Sequence, residues 1–337
     1  MIDTPASAES MRHSPNGKDP LALIPAFAGT PPTWWRTLPW SVTRSGDALL
    51  LRAEQLQDEL LGDPANRDVM LACGAVLANL KIAAHHLGHD VRMELFPDGT
   101  GSPIVARLTV GREVSPGRED EALFDVLEHG VRSLAHGGTS VSPALVAILR
   151  HGARSEGGWL DVVSDDARRA IVGDLESEAV AITDAERSAR RLLSARYGAG
   201  TLGPQFALGG APALGELLYT LGASVQPVNE WSAGRAAKLR ESTLEAPLLA
   251  VLGATDDTPR GWLRAGAALQ RVLLHASVQG LSATFLNEPL RHPLLRDALR
   301  SVLFADGAPQ AIVRFDFSSA GSARDAHRRG GRTATAA

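Results

Sequence analysis

Three groups of residues in this 337-residue chain have types and spacings that could do chemistry. The first is Pro31-Pro-Thr-Trp-Trp-Arg-Thr-Leu-Pro-Trp40, which gathers half of the chain's six tryptophans into one short segment. Such a segment either stacks on a planar ligand or wraps aromatic surface over a core. The second is His85, His86 and His89, of which His85 and His89 have the spacing to share a metal on one helix face. Gly88 interrupts that helix and no carboxylate motif accompanies the histidines, so a solvated helix end is expected instead. The third, Gly198-Ala-Gly-Thr-Leu-Gly203, matches the dinucleotide fingerprint but follows a helical pattern. Cradling a phosphate requires a strand, loop and helix in that order, so this run reads as a helix-ending loop. The chain has neither a Gly-x-Ser-x-Gly elbow nor a Walker loop.

The elements that must position any site are announced by a repeat. Cys73-Gly-Ala-Val-Leu-Ala-Asn-Leu-Lys-Ile-Ala-Ala-His-His-Leu-Gly88 is echoed by Ala265-Gly-Ala-Ala-Leu-Gln-Arg-Val-Leu-Leu-His-Ala-Ser-Val-Gln-Gly280. Gly74/Gly266, Ala75/Ala267, Leu77/Leu269, Ala84/Ala276 and Gly88/Gly280 align without a gap. Each copy carries an apolar stripe at helical spacing, Val69, Cys73, Val76, Leu80, Ala84 and Leu87 in the first and Trp262, Ala265, Leu269, Val272 and Ala276 in the second. Ala and Leu fill much of the opposite faces, so both helices are expected to be buried nearly all round. Gly88 and Gly280 stand where a left-handed C-terminal cap is least strained.

Around each helix the same order of strands is expected: Ala48–Ala53, then Val91–Phe96 and Pro103–Val110; and Ala246–Gly253, then Ser282–Leu286 and Pro309–Phe317. Between the copies, Glu119–Gly130, Pro143–Gly152 and Ser164–Tyr197 have helical periodicity, and a second Gly-rich loop at Gly209–Ala213 opens a helix to about Leu221. Strands mixed with long helices give an α+β class. The expected organisation is a disordered tail over 1–20, a first half over 21–115, a second half with a helical insertion over 116–317, and an Arg/Gly-rich tail over 318–337. A cleft between duplicated halves is the natural place for a ligand.

Composition narrows the classes. A hydrophobic content of 44% suits a globular protein with one large core or two modest ones. The net charge of -4 and the lack of a dense basic block argue against nucleic-acid binding. The lone Cys73 excludes an internal disulfide and reads as a small core residue in a reducing compartment. With no run approaching a membrane span and no signal peptide, a cytoplasmic chain is expected.

The tryptophan-rich segment resembles the flavin-contacting motif Ala-Pro-Ser-x-x-Asn-Thr-Gln-Pro-Trp of the nitroreductase superfamily, matching at Pro32, Thr33 for Ser, Thr37, Pro39 and Trp40. Trp262-Leu-Arg-Ala-Gly-Ala-Ala-Leu-Gln-Arg-Val-Leu-Leu-His-Ala276, Gly280-Leu-Ser-Ala-Thr-Phe-Leu-Asn-Glu-Pro-Leu290 and Pro293-Leu-Leu-Arg296 are similar to the Acg branch of that superfamily. The resemblance runs from about Pro31 to Phe317. It implies a nitroreductase-like fold in which a homodimer has been fused into one chain, an internally duplicated pseudo-dimer with central antiparallel or mixed sheets, long buried helices and a helical lid.

The resemblance also implies a site. Pro32, Thr33, Arg36 and Trp40 would line one wall of an FMN cleft, Asn287 and Glu288 would lie near the flavin N5, and Arg132 with Arg328 or Arg329 would hold the phosphate. NAD(P)H would be the electron donor and a nitroaromatic, quinone or similar small molecule the acceptor, with no catalytic side chain and no metal required. One chain would suffice as a monomer. Two departures stand in the motif, Arg36 for Asn and Leu38 for Gln. A guanidinium cannot accept a hydrogen bond from flavin N3–H as an amide oxygen can. A flavin-sequestering protein and a flavin-free scaffold or binding protein therefore stand as alternatives to the oxidoreductase.

Overall fold

A computed structural model of the chain describes residues 19–28, 40–53, 66–129, 141–197, 230–304 and 306–317. The Gly-rich loops at 198–203 and 209–213, the expected helix to about Leu221, residues 1–18 and the tail from 318 lie outside them.

The two copies of the repeat are helices α2 (Arg67–His86) and α7 (Pro259–Val278). Each sits in a unit with a four-stranded antiparallel sheet. The first sheet comprises β1 (Trp40–Ser45), β2 (Ala48–Ala53), β3 (His89–Leu95) and β4 (Ile104–Glu113), in the spatial order β1-β2-β4-β3. The second comprises β5 (Gly158–Val162), β6 (Leu248–Ala254), β7 (Leu281–Phe285) and β8 (Ala308–Phe317), in the order β5-β6-β8-β7. In both units the helix joins the second strand to the third, and the fourth strand lies between those two.

Six of these strands match the expected ones to within a few residues. β1 and β5 were not expected, and they correct the strand, helix, strand, strand reading to a unit that opens on an additional strand. β1 is the outgoing arm of a hairpin that turns at Gly46, where φ is +62°, and pairs with β2 from Trp40↔Ala53 to Ser45↔Ala48. Trp40 is therefore the first residue of a strand. β5 lies in the middle region that was expected to be mainly helical. Its five residues pair with β6, and Asp161 within it accepts hydrogen bonds from Arg168 and from the Phe304 backbone N–H at 2.9 Å.

α2 and α7 pack against each other at the centre of the molecule. A Cβ added to Gly74 would lie 2.0 Å from the carbonyl oxygen of Leu263, and one added to Gly266 would lie 2.0 Å from that of Leu71. Each leucine stands three residues before the other helix's glycine partner in the repeat, so the contact is reciprocal. Only glycine permits two helix backbones to approach so closely. The leucines are exchanged as well: Leu263 packs into the core of the first sheet with Leu49, Leu51, Cys73 and Leu108, and Leu71 into that of the second with Leu248, Leu252, Leu269 and Phe315. Gly88 and Gly280 adopt φ of +83° and +74°, as the left-handed caps require.

α2 is long and apolar enough to cross a membrane by length and composition, contrary to the expectation that no such run exists. Its hydrophobicity is that of a core helix, since 78% of its most apolar stretch is buried in the fold. Cys73 is fully buried there, and burial pushes its thiol up to about 12.

The remaining helices differentiate the halves. α1 (Pro20–Leu23), capped by Asp19, packs with the first core. α3 (Arg118–His129) and α4 (Pro143–Ser155) lie against the central helices. α5 (Asp166–Tyr197) pairs with α6 (Glu230–Leu244), and α8 (Pro293–Val302) closes the second unit. Val172 of α5 and Leu299 of α8 cover the second sheet's outer face with Leu249, Val251 and Ile312. The corresponding face of the first sheet presents Arg52, Arg92, Glu94 and Arg107 to solvent. Among the described residues, one sheet is thus covered on both faces and the other on one.

Candidate functional site

Of the nine residues expected at a cofactor site, Trp40, Asn287 and Glu288 are among the described residues. Pro32, Thr33, Arg36, Arg132, Arg328 and Arg329 lie outside them. Trp40 opens β1 half-buried, and its indole Nε1 is shielded from solvent with no hydrogen-bond partner among the described residues. A buried indole N–H usually finds an acceptor.

Asn287 and Glu288 occupy the turn that follows β7. The ladder to β8 continues through the Leu286 N–H, which donates to the Ile312 carbonyl at 2.9 Å. The Asn287 side chain takes over from there, its Oδ1 accepting from the Ile312 N–H at 2.8 Å. That bond fixes the amide plane, leaving Nδ2 buried and without a partner among the described residues. The chain then tightens into the 3-10 turn Glu288–Arg291, with Pro289 in its first turn and the Leu290 N–H donating to the Asn287 carbonyl at 3.1 Å.

This turn is gripped from two sides. From the first half, Arg67 Nη1 at the start of α2 donates to the Leu290 carbonyl at 3.1 Å, and its Nη2 donates to Asp68 at 3.1 Å. From α5, the Thr183 hydroxyl donates to Glu288 Oε2 at 3.3 Å and lies 3.5 Å from His292 Nε2. Asn287 and Glu288 are therefore placed where the second sheet's unit meets the start of α2.

Two polar nodes escaped sequence reading. At the N-terminus of α7, Asp257 accepts from Trp262 Nε1 at 2.6 Å, Gln310 Nε2 at 3.0 Å, and both terminal nitrogens of Arg296 at 2.8 Å. Burial opposes ionisation of Asp257, but the hydrogen bonds from Arg296, Trp262 and Gln310 outweigh it and lower its pKa to about 2. The node ties α7, α8 and β8 together behind the Asn287 turn. Trp262 and Arg296 stood in the segments that carry the family resemblance; the acidic run before Pro259 was the one signal for their partner.

The second node lies among α2, α3, α4 and α7. Arg271 donates to Glu119 at 2.6 Å and to Glu156 at 3.2 Å, Lys81 donates to Glu156 at 3.3 Å, and His275 Nε2 lies 3.4 Å from Glu119. Burial favours the protonated form of Glu119, but the Arg271 hydrogen bond and charge, with His275 and His151, overcome it and lower its pKa. Burial also lowers the pKa of His275, reinforced by the charges of Arg271 and His151 and opposed by Glu119. The pair sits as carboxylate and neutral imidazole at neutral pH.

The histidines of the first repeat do not converge. His85 lies 3.4 Å from both Asp90 and Asp120, His86 pairs with Glu121 at 3.1 Å and stacks on Phe124, and His89 is buried in β3. No group of three or more His, Cys, Asp or Glu side chains that could hold a metal occurs among the described residues.

No protein-family model matches the chain. Two proteins of Mycobacterium tuberculosis, strains CDC 1551 / Oshkosh and ATCC 25618 / H37Rv, each named "Putative NAD(P)H nitroreductase", are 29% identical to it over 327 residues. The match spans 93% of this chain and 89% of theirs. Among solved structures, the FMN and NADPH-dependent nitroreductase NfnB from sphigopyxis sp. strain HMH is 21% identical, covering 60% of this chain and 89% of its own. Its TM-score of 0.32 is too low to bear on the fold. Along nearly its whole length, this chain is similar to proteins named "Putative NAD(P)H nitroreductase".

Proposed function

We propose that the chain is an FMN-binding, NAD(P)H-dependent oxidoreductase of the nitroreductase superfamily, in its Acg branch, built as an internally duplicated pseudo-dimer with its cofactor at the seam. The observation that carries the reading is the Asn287–Arg291 turn, held between the two halves with a buried amide donor that has no partner. An unmet buried donor costs about 1–3 kcal/mol, and a flavin carbonyl or ring nitrogen is an acceptor of the kind that would meet it. The reciprocal contact of Gly74 and Gly266 and the matching strand orders support the duplication. The near full-length likeness to the mycobacterial relatives supports the superfamily.

When bound, FMN supplies hydride transfer between NAD(P)H and an acceptor such as a nitroaromatic or quinone. The protein's part is binding, orientation and exclusion of water. Asn287 and Glu288 would present the turn to the ring, and Pro32, Thr33, Arg36 and Trp40 would form the opposite wall. Arg132 and Arg328 or Arg329 would take the phosphate, with α5 and its neighbours as the cover. A single cytoplasmic chain would be the working unit.

Arg36 and Leu38 keep a second reading in view, a protein that sequesters flavin or has lost it. Purified chain mixed with FMN separates the three. Uptake followed by bleaching with NADH or NADPH supports the oxidoreductase, uptake without bleaching supports sequestration, and no uptake supports the flavin-free reading.

A further inference from the structure

We propose that Arg67 is the positioning residue that fixes the Asn287–Arg291 turn, and that the seam it crosses is the one that takes the ligand, not the pseudo-equivalent seam at Arg260. The identity of the ligand as flavin rests on the reading above; the choice of seam rests on geometry.

Each central helix carries an arginine in its first turn that reaches a backbone carbonyl of the other half. Arg67 donates to Leu290 at 3.1 Å and Arg260 donates to Leu95 at 3.2 Å. Leu95 is the last residue of β3, the third strand of the first unit, and Leu290 lies in the turn that follows β7, the third strand of the second. The two contacts are alike in kind and differ in three respects.

Arg67 is 8% exposed and Arg260 lies in solvent. A charge-assisted hydrogen bond away from water is the stronger one, so only the Arg67 contact can hold a turn rigidly. The segment at Leu95 continues with Phe96, whose N–H is bonded to Val105 at 2.9 Å and whose side chain is packed in the core. The segment at Leu290 contains Asn287, with its amide donor unmet. Finally, the Leu290 turn is also held by Thr183 of α5 through Glu288, whereas among the described residues the side-chain hydrogen bond that reaches the Leu95 segment is that of Arg260.

Arg67 acts through the turn. With its guanidinium on the Leu290 carbonyl, the Asn287 amide and the backbone around it are fixed before a ligand arrives, which lowers the ordering cost of binding. Asp68 beside Arg67 keeps the guanidinium paired, so the effect is placement of the turn and not a free positive charge.

The test compares full-length wild type with Arg67→Gln, Arg67→Lys and Arg260→Gln. Three readouts are taken: amide hydrogen exchange over residues 286–292, FMN affinity, and visible circular dichroism of bound FMN. Arg67→Gln is expected to speed exchange in that segment, weaken FMN by about tenfold or more and change the flavin dichroism, since loss of one buried charged hydrogen bond is worth about that much. Arg67→Lys, keeping one donor, is expected to recover part of each effect and stands in should the glutamine variant fail to fold. Arg260→Gln is expected to match wild type in all three. The proposal is overturned if Arg67→Gln leaves affinity and dichroism unchanged, or if Arg260→Gln weakens FMN by the same factor. A wild type that takes up no FMN removes the flavin reading and the seam choice with it. Exchange then still decides Arg67's hold on the turn, and unchanged exchange in Arg67→Gln removes that too.

Discussion

Gly74 meets Leu263 so closely that a Cβ on the glycine would lie 2.0 Å from the leucine carbonyl oxygen, and Gly266 repeats the contact on Leu71. The obstructing atoms are backbone, which cannot rotate away as a side chain can. Gly74→Ala or Gly266→Ala must therefore push the central helices apart. Each is expected to cost at least about 2 kcal/mol, in the upper range for overpacking a tight core. Urea unfolding measures it, and alanine variants as stable as wild type would show that the helices do not touch there.

Asp257 gives a stability term with a defined pH window. Its folded pKa of about 2 lies below the ordinary value of about 3.9, so its contribution is present above pH ~4 and lost as pH falls through ~2. The side chain is 46% exposed, and solvent screening brings the contribution to roughly 1 kcal/mol. The stability difference between wild type and Asp257→Asn is expected to shrink steadily from pH 5 to pH 2. A difference that stays constant over that range would assign the node no electrostatic role.

His275 titrates in a different window. Burial, with Arg271 and His151 nearby, holds its folded pKa below the ordinary 6.5, so the folded state binds fewer protons than the unfolded chain. The sign follows: its contribution is intact above pH ~6.5 and is lost as pH falls below that value. Replacement by glutamine should flatten the loss of stability between pH 7 and pH 5, read from thermal melts, while leaving the carboxylate-driven loss at lower pH. An equally steep loss in the variant would contradict the placement of a neutral imidazole there.

Asn287 performs two tasks that one substitution can separate. Asn287→Asp keeps an oxygen to accept from the Ile312 N–H and removes the unmet Nδ2 donor. Thermal stability is expected to fall modestly, because the carboxylate oxygen that replaces Nδ2 is equally buried, while FMN affinity falls by about tenfold or more, the worth of one hydrogen bond of about 1.4 kcal/mol. Equal affinity for the two proteins would take Asn287 out of the cofactor site.

Much of the scaffold was legible because it is written in local periodicity. The repeat, the apolar faces of α2 and α7, the glycines at 88 and 280, and six strands all follow from spacing that a few neighbouring residues determine. β1 and β5 were hidden for different reasons: β1 continues a Pro- and Trp-rich run that reads as one aromatic segment, and β5 is five residues enclosed between helices. The apolar run of α2 was underestimated because its small residues carry little side chain, although they allow the close helix contact. The nodes at Asp257 and Arg271 were not legible, since Gln310, Glu119 and Glu156 come from distant parts of the chain and carry no local signature. Arg67 and Thr183, which bond to the turn at Asn287 and Glu288, were not legible either, since they reach it from distant parts of the chain.

The central claim is that one flavin sits at the seam between the halves of a single chain. Titration of purified chain with FMN, followed by absorbance of the bound fraction, tests it most directly. The account predicts saturation at one FMN per chain, with the bound flavin bleached by NADH or NADPH under anaerobic conditions. A colourless protein that takes up no FMN would contradict it.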